Sequence, residues 1–480
     1  MKARVVTDIG DIIGPIDRNI YGHFIEHLGR CIYGGIWAGE EAKIPHLRGF
    51  RKDVLEVVKR LRPPIIRWPG GNFASGYHFE DGLGPRDARP RKFDLAWRKE
   101  ESNEFGTDEF IDFCREVGTE PYICVNTGSA PPEEAAHWVE YCNSRTHTKY
   151  AAMRAKNGHP EPFGVKYWGI GNEVYGSWQI GTVDAGTYAL QAREFAKQMR
   201  RVDPEIKLVA VGCGDPEWNW EVLRMPRSQF DYISIHKYYR MTAYYDIVAA
   251  ALEAELSLAE LAGLINTIPE ARERGVKISF DEWNVARREN HHSPMRMRLQ
   301  DGLFASGVFN AMHRLCNWVT MANLAQLVNI LPAIVTDETR LFVNPLYLAF
   351  LLYGEHTGSV ALRTRVEVDT FAANAGHREL PQVPYLDSSF TLDAEDKKLY
   401  LAAVNRYKDE PIEAEIVIRD ARVKPGAKIY ELNGPDVLAA NDFDSPDVVK
   451  ITEKPLEDAK AAFTYPFPAH SASIIEFELE

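Results

Sequence analysis

The sequence lacks the long apolar runs and the clustered cysteines of membrane and secreted disulfide-rich proteins. No stretch approaches the roughly 18 uninterrupted apolar residues that span a bilayer. The first residues contain no apolar core followed by a small-residue cleavage site. The six cysteines are scattered and form no C-x-x-C pair. We therefore expect reduced thiols in a cytoplasmic protein, with no metal site built from cysteines.

An excess of positive charge is also absent. The chain has 56 Lys and Arg residues against 69 Asp and Glu residues, a formal net charge of −13. Because an acidic surface repels phosphate backbones and anionic lipids, we expect neither a nucleic acid nor a membrane as a partner. Internal repeats and low-complexity tracts are missing too, and 45% hydrophobic residues are ordinary for a globular protein.

Short apolar runs alternate with helix-like segments between residues 18 and 353. Eight buried strands, each followed by a longer connection, predict a (β/α)8 TIM barrel. A doubly wound open sheet has the same alternation, but no G-x-G-x-x-G follows a strand, and eight repeats favour closure. In chain order the runs are NIYGHFIEHLG, PPIIRWPGGN, EPYICVNTG, VKYWGIGNE, IKLVAVGCG, FDYISIHKY, VKISFDEWN and VTMANLAQLVN.

The pattern changes after about residue 353. Segments such as KKLYLAAVNRY, EAEIVIRD and SASIIEFEL alternate apolar and polar residues, with Pro, Asp, Asn and Gly between them. This pattern predicts a C-terminal antiparallel β-sandwich. The N-terminal strand ARVVTDIGDIIGPI has no helix after it, so we expect it to join the sandwich. The predicted domains are 18–353 for the catalytic barrel and 1–17 plus 354–480 for the β-sandwich domain.

Polar side chains end the predicted strands, and the C-terminal strand ends of such barrels form the active site. A single polar residue in this position often caps the next helix, whereas packing alone does not explain a whole rim of them. The set comprises Glu26, His27, Arg67, Gly70, Gly71, Asn72, Asn126, Asn172, Glu173, His236, Tyr238, Asp281, Glu282, Asn284, Gln326 and Asn329.

Two glutamates in this set follow runs too apolar to hold a carboxylate without a reason. Glu173 ends the fourth strand and Glu282 the seventh, so the two can face each other across the barrel mouth. A retaining glycoside hydrolase needs two carboxyl groups about 5–5.5 Å apart, one as acid and one as nucleophile. The acid requires a raised pKa, which the second carboxylate supplies.

The nucleophile must stay ionised, which requires hydrogen-bond donors or cations beside it. Arg67 and His236 are predicted to support Glu282, and Tyr238 is predicted to donate its phenolic hydrogen to the same carboxylate. Asn172, next to Glu173, is predicted to bind the 2-hydroxyl of a sugar, a contact that tightens in the transition state.

Several segments, in order, resemble glycoside hydrolase family 51, the α-L-arabinofuranosidases. They include GHFIEHLGRCIYGGIW, IIRWPGGNFASGYHFEDGLGP, YWGIGNE, GSWQIG, DYISIHKY, FDEWNV and NLAQLVNILPAI, from residue 22 to about 334. The resemblance implies that Glu173 is the acid/base and Glu282 the nucleophile. It implies no cofactor and no metal, and a homo-oligomer, often a hexamer. The implied furanose-binding residues are Glu26, Asn72, Asn172, Tyr238, Gln326 and the loop aromatic Trp178.

Three loops depart from the family pattern. The chain reads GNEVYG where the family commonly has GNEMDG, and NTGS where it has NLGT. The segment VARRENHHSPMRMR lacks the aromatic residue usual after DEWNV. We expect a retaining exo-α-L-arabinofuranosidase acting on arabinan- or arabinoxylan-type oligosaccharides. An endo-β-1,4-glucanase, a xylosidase or a mixed activity stays open, and the matched pair of glutamates disfavours a non-catalytic carbohydrate-binding protein.

Other features are assigned no role in catalysis. His23, Glu26 and His27 imitate a metal-binding cluster, but the spacing of the two histidines on a strand and its loop does not place them on one face. His291 and His292 are expected in a solvated loop. PGGN lacks the lysine of a phosphate-binding loop. Trp97 is left open between the core and the rim of the site.

Overall fold

A closed barrel of eight parallel strands forms the larger part of the computed structural model, which describes residues 1–286 and 296–480. The strands of this part and the strand before it are β1 (Lys2–Pro15), β2 (Gly22–Phe24), β3 (His46–Leu47), β4 (Phe50–Arg51), β5 (Ile65–Trp68), β6 (Lys92–Asp94), β7 (Lys99–Glu101), β8 (Glu120–Val125), β9 (Tyr167–Ile170), β10 (Lys207–Ala210), β11 (Tyr232–Tyr239), β12 (Lys277–Val285), β13 (Val319–Ala325), β14 (Ile334–Thr336) and β15 (Leu341–Val343).

Helices follow most barrel strands. They are α1 (Lys52–Leu61), α2 (Thr107–Val117), α3 (Pro132–Asn143), α4 (Lys149–Lys156), α5 (Ala185–Val202), α6 (Pro216–Leu223), α7 (Tyr244–Thr267), α8 (Pro269–Arg274), α9 (Leu299–Arg314) and α10 (Pro345–Glu355). Short 3-10 helices span Arg18–Tyr21, Asn72–Gly76, Phe79–Gly82 and Arg86–Ala88. In the described part of the chain, no helix is both long and apolar enough to cross a membrane.

The barrel closes in the order β2, β5, β8, β9, β10, β11, β12, β13, with β13 pairing back to β2. Each of the eight predicted runs contains one of these strands, so the predicted barrel is confirmed. The strands are buried by the helices outside and by side chains inside, which explains why they read as continuous apolar runs. An interior cluster fills the barrel with one side chain from each of five strands: Ile65, Tyr122, Tyr167, Val209 and Met321.

A nine-stranded sheet with its own apolar core forms the sandwich-like part. Its order is β23-β22-β25-β20-β19-β16-β1-β21-β24, and β1 lies inside it as predicted. The pairing of β1 with β21 is parallel, which differs from the expected antiparallel arrangement, because β1 inserts between two strands of opposite direction. The remaining strands are β16 (Val360–Val368), β17 (Thr370–Asn374), β18 (Glu379–Pro384), β19 (Leu386–Asp393), β20 (Lys398–Asn405), β21 (Ile412–Arg419), β22 (Val423–Asn433), β23 (Lys450–Leu456), β24 (Ala462–Phe467) and β25 (Ser471–Leu479).

A buried ion network joins the two parts. Asp387 of β19 lies 3.0 Å from Arg314 of α9 and 3.2 Å from Arg406, and it accepts a hydrogen bond from Asn310. Burial opposes the charge of Asp387, but the two guanidinium groups hold its pKa below the ordinary value. We propose the domain boundaries predicted above, with this network as the main polar connection between the two domains.

Asp387→Asn is expected to destabilise the fold by about 3 kcal/mol, because it leaves the buried guanidinium of Arg406 without its carboxylate. The matched control is Glu221→Gln, which breaks the exposed ion pair with Arg224 and should cost less than about 1 kcal/mol. Urea denaturation of both variants beside the wild type measures the difference. Equal, small shifts of the two midpoints would show that the network contributes nothing specific.

Candidate active site

The carboxyl ends of the barrel strands bring most of the predicted polar residues together. Arg67 ends β5, Glu173 follows β9, and Glu282 lies within β12. Glu173 has a positive φ of 43°, directly after Gly171 at 83° and Asn172, so the chain turns sharply where β9 ends. Non-glycine residues rarely adopt this conformation, and it is concentrated at functional sites.

Glu282 is held by the two donors predicted for it. Nη1 of Arg67 donates to Oε1 at 2.6 Å, and the hydroxyl of Tyr238 donates to Oε2 at 2.8 Å. Nη2 of Arg67 also donates to Oδ1 of Asn172 at 2.7 Å, so one guanidinium ties the ends of two strands together. Such charge-assisted bonds are shorter and stronger than bonds between neutral groups, so they fix the position of the carboxylate.

Glu173 is surrounded by three donors. His236 Nδ1 lies 2.9 Å from Oε1, and the hydroxyl of Tyr175 donates to the same oxygen at 3.2 Å. The indole of Trp178 donates to Oε2 at 2.9 Å although its side chain is 61% exposed. One face of this indole therefore lies at the mouth of the site, beside Glu173.

His236 lies between the two glutamates. Its Nδ1 is 3.6 Å from Glu282 Oε2 and nearer to Glu173, so its main contact is with Glu173 and not with the residue it was predicted to support. Its Nε2 lies 3.2 Å from Asp281 Oδ1, and Tyr122 donates to the other oxygen of Asp281 at 2.7 Å. The negative charge of Asp281 thereby lies on the side of the imidazole ring opposite Glu173.

The charges of this cluster shift its pKa values in opposite directions. Burial works against a charged His236, but the carboxylates of Glu282, Asp281 and Glu173 raise its pKa to about 10. Burial likewise disfavours ionised Glu173, yet the hydrogen bond and charge of His236 hold its pKa below the ordinary value. The free site therefore differs from the sequence-based expectation of a raised pKa for Glu173, because the imidazolium outweighs the second carboxylate.

Glu26 forms a second polar centre. It accepts hydrogen bonds from the Phe73 amide at 3.1 Å, the Trp97 indole at 3.2 Å and the Gln326 amide at 3.1 Å. Burial, together with the charge of Glu282, raises the pKa of Glu26 to about 8. Trp97, which the sequence left undecided, thus belongs to the site.

The two glycines of PGGN allow the chain to approach Glu26. A Cβ on Gly71 would lie 3.1 Å from both carboxylate oxygens, and one on Gly70 would lie 2.9 Å from the Phe73 side chain. Asn72 follows them and begins the 3-10 helix that presents the Phe73 amide to Glu26. The motif therefore serves close packing around a carboxylate.

Two buried amide atoms beside the glutamates have no hydrogen-bond partner among residues 1–286 and 296–480. They are Nδ2 of Asn172 and Oε1 of Gln326. An unpaired buried polar atom costs about 1–3 kcal/mol, so these atoms are suited to a ligand that brings hydroxyl groups. Both belong to the predicted sugar-binding set.

Three other strand-end residues brace loops. Asn126 accepts from the amides of Gly128 and Ser129, Asn284 donates to the carbonyls of Ala325 and Leu331, and Asn329 donates to the carbonyl of Arg30. These contacts hold loops together and do not cap the next helix, so in the described residues they differ from the helix capping that was the alternative for each strand-end residue.

The histidines of the apparent metal cluster do not converge. His27 stacks on Phe73 and lies 3.3 Å from Glu101, behind Glu26. His23 packs against Phe350, and burial lowers its pKa to about 3. His291 and His292 lie outside the described residues.

Residues that sequence reasoning missed are Tyr122, Tyr175 and the role of Asp281. Tyr175 comes two residues after Glu173, and Asp281 directly precedes Glu282, so proximity along the chain was the available signal. Tyr122 lies inside an apolar strand and carries no signal that distinguishes it from the core.

Comparisons with known proteins agree with this geometry. The model of the α-L-arabinofuranosidase 1 domain matches residues 57–252, and that of the α-L-arabinofuranosidase C-terminal domain matches residues 281–471. The α-L-arabinofuranosidase of Thermotoga maritima, solved as an arabinose complex, is 45% identical over 99% of both chains, with a TM-score of 0.94. The thermostable GH51 α-L-arabinofuranosidase of Thermotoga petrophila RKU-1 is 46% identical, with a TM-score of 0.94, over 99% of this chain and 100% of that one.

The chain belongs to the α-L-arabinofuranosidases of glycoside hydrolase family 51. A further relative is the intracellular exo-α-(1→5)-L-arabinofuranosidase 1 of Bacillus subtilis (strain 168), 34% identical over 93% of both chains. The predicted family and enzyme class are thereby confirmed. Family 51 membership makes an arabinose-containing saccharide the substrate class.

Proposed function

We propose that the chain is a retaining exo-α-L-arabinofuranosidase with Glu282 as nucleophile and Glu173 as acid/base. The observation that carries the retaining mechanism is the short separation of the two carboxylates, since one oxygen of each lies within 4.8 Å of the other. Inverting enzymes keep their carboxyl groups about 6.5–9.5 Å apart to admit a water molecule. The Bacillus relative, which is named as exo-acting, supports removal of terminal residues.

In the first step of the proposed mechanism, a Glu282 oxygen attacks the anomeric carbon. The bond from that carbon to the glycosidic oxygen breaks, and Glu173 delivers a proton to the departing oxygen. In the second step, Glu173 removes a proton from water, whose oxygen attacks the same carbon and releases Glu282. Two inversions leave the configuration of the sugar unchanged.

The proton for the first step comes from the pair of Glu173 and His236. In the free site this proton resides on His236, whose pKa is raised to about 10. We infer that it moves from Nδ1 to Glu173 Oε1 across the 2.9 Å contact when the saccharide enters. The neutral imidazole keeps its hydrogen on Nε2, which lies 3.2 Å from Asp281 Oδ1.

Sugar binding uses the unpaired atoms Asn172 Nδ2 and Gln326 Oε1 together with the carboxylate of Glu26 beside them. The Asn172 amide is suited to the 2-hydroxyl beside the anomeric carbon, and Gln326 with Glu26 to further hydroxyls of the ring. Asn72, next to the Phe73 amide that binds Glu26, is proposed as a further sugar contact. The exposed face of Trp178 is suited to stacking against a sugar at the mouth.

We also propose an intracellular enzyme that forms a homo-oligomer, a hexamer by resemblance to the family. The name of the Bacillus relative supports the location. Phe93 and Leu95, on or beside the hairpin of β6 and β7, are 65% and 64% exposed, which leaves both side chains available for contact with a second copy of the chain.

The test is a substrate panel read together with the product anomer. We expect rapid hydrolysis of p-nitrophenyl α-L-arabinofuranoside and of arabino-oligosaccharides, with the α-anomer of arabinose as the first product in NMR spectra. The β-D-xyloside, the β-D-glucoside and soluble β-glucan serve as the comparison. Activity confined to those substrates would overturn the arabinofuranosidase specificity, and a first product of β configuration would overturn the retaining mechanism.

A further inference from the structure

Three potential metal ligands meet at the centre of the active site. One ligand atom from each of Glu173, His236 and Glu282 lies within 4.8 Å of the other two. His236 Nδ1 is 2.9 Å from Glu173 Oε1 and 3.6 Å from Glu282 Oε2. With bonds of about 2.0–2.1 Å, tetrahedral zinc keeps neighbouring ligand atoms about 3.4 Å apart, close to both of these distances.

The surroundings of His236 resemble those of a metal-binding histidine. Its Nε2 lies 3.2 Å from Asp281 Oδ1, and Tyr122 donates to the other oxygen of Asp281. Histidines that bind metals nearly always donate their second ring hydrogen to a carboxylate, a carbonyl or a water, which fixes the ring. A hydrogen on Nε2 leaves the Nδ1 lone pair directed at the two glutamates.

Charge in the cluster favours a divalent cation. Once the imidazolium proton leaves, the three carboxylates of Glu173, Asp281 and Glu282 and the one guanidinium of Arg67 give −3 + 1 = −2. A cation of charge +2 neutralises this sum. Arg67 contacts Oε1 of Glu282, so Oε2 is the oxygen on the side of His236.

We propose that a divalent transition cation of the zinc type binds reversibly to His236 Nδ1 and to one oxygen each of Glu173 and Glu282. An imidazole ligand suits zinc, copper and nickel, whereas magnesium and calcium prefer oxygen ligands alone. Binding releases the imidazolium proton to solvent. Inhibition follows because the cation occupies both carboxylates, and this consequence rests on the proposed function.

Zinc binding is measured directly by titration calorimetry, without an activity assay. One Zn²⁺ per wild-type chain is expected, with at least a 10-fold loss of affinity in Glu173→Gln and in Glu282→Gln. Asp281→Asn, which changes no ligand, should weaken binding by about 10–100-fold. Zinc affinity unchanged in either glutamine variant would overturn the site.

The matched control is a surface pair with metal-like spacing. His137 and Glu133 lie one turn apart on α3, with Nε2 and Oε1 separated by 3.7 Å. His137→Ala should bind zinc as the wild type does, and so should Cys213→Ser, which removes the thiol three residues after β10. Loss of the bound zinc in either control would move the site away from the glutamates.

Inhibition kinetics supply the second arm. Zn²⁺ should raise the apparent KM for p-nitrophenyl α-L-arabinofuranoside and leave kcat unchanged, whereas Mg²⁺ at the same concentration should do neither. A fall in kcat at constant KM would overturn occupancy of the substrate site. Zinc binding by an inactive chain would support the metal site and count against only the proposed function. Normal hydrolysis with no zinc binding would overturn the metal site alone.

Discussion

Glu282→Ala is expected to lower kcat for p-nitrophenyl α-L-arabinofuranoside on the order of 10⁴-fold or more, because the attacking oxygen is gone. Arg67 and Tyr238, which hold this carboxylate at 2.6 and 2.8 Å, provide no replacement nucleophile at that position. The good leaving group of this substrate does not restore the rate. It replaces the need for an acid, whereas the variant lacks the nucleophile that forms the new bond. Steady-state rates of the purified variant and the wild type provide the measurement.

Azide distinguishes loss of a nucleophile from loss of the fold. It fits the space that the Glu282 side chain vacates and should restore turnover, giving the β-configured arabinosyl azide by a single inversion. The control is Glu431→Ala, which removes a buried glutamate of β22 beside Lys454 and should leave the rate unchanged. A fully active Glu282→Ala, or an α-configured azide product, would remove Glu282 from the role of nucleophile.

The barrel was predictable because parallel strands covered on both faces must be apolar throughout. The strand β9, YWGI, is buried at every residue and carries no charged side chain, so it reads as an apolar run in the sequence. The sandwich was predictable from the opposite pattern, as in β21, where buried and exposed residues alternate. The parallel pairing of β1 with β21 could not be predicted, because alternation of apolar and polar residues indicates a strand and does not specify its neighbours.

The sequence predicts those active-site residues whose position in the barrel follows from their place at the end of a strand. Arg67, Tyr238 and Glu282 lie near the carboxyl ends of different barrel strands, and closure of the barrel brings them together. Trp97 could not be placed in the same way, because it lies in the turn of the hairpin of β6 and β7, and its contact with Glu26 depends on how that hairpin folds over the barrel.

The strand-end rule also selected residues that hold loops. Asn126, Asn284 and Asn329 differ from Asn172 only in what surrounds them, namely amides and carbonyls of neighbouring turns. Those partners are set by the tertiary structure. A single sequence therefore separates a ligand-binding asparagine from a bracing one only where a neighbouring motif, here Glu173, marks the site.

Charge balance was the hardest property to predict. The facing pair of Glu173 and Glu282 indicates a raised pKa for one of the two. The raised pKa lies instead on a third glutamate, Glu26, where burial and the charge of Glu282 raise it to about 8. For Glu173 the direction of the pKa shift is reversed by His236, whose Nε2 lies 3.2 Å from Asp281. The acid of the proposed mechanism is thus a pair of residues that share one proton.

Glu173→Ala is expected to slow hydrolysis of arabino-oligosaccharides by about 10²–10⁴-fold, the usual contribution of a general acid–base group. The p-nitrophenolate group leaves without needing a proton, so formation of the arabinosyl-enzyme should stay fast. Its hydrolysis, the second step, should be slow because the variant lacks the base that activates water. A burst of p-nitrophenol followed by slow turnover is the expected trace in stopped-flow measurements. Azide should speed this second step and yield the α-configured product, opposite to the result for Glu282→Ala. Equal losses for both substrates and no burst would contradict the acid/base role.

The pH dependence completes the argument for Glu173. In the wild type, the pair of Glu173 and His236 loses its shared proton as the pH rises through the pKa of His236, about 10, so kcat/KM for oligosaccharides should fall on the alkaline side. Below that pH the proton is present and the acid can form.

The Glu173→Ala variant provides the control. Its reaction with the p-nitrophenyl substrate needs no acid, so the alkaline fall in kcat/KM should disappear. An alkaline limb that persists unchanged in this variant would assign the titration to another group, and Glu26, with its pKa raised to about 8, would be the next residue to replace.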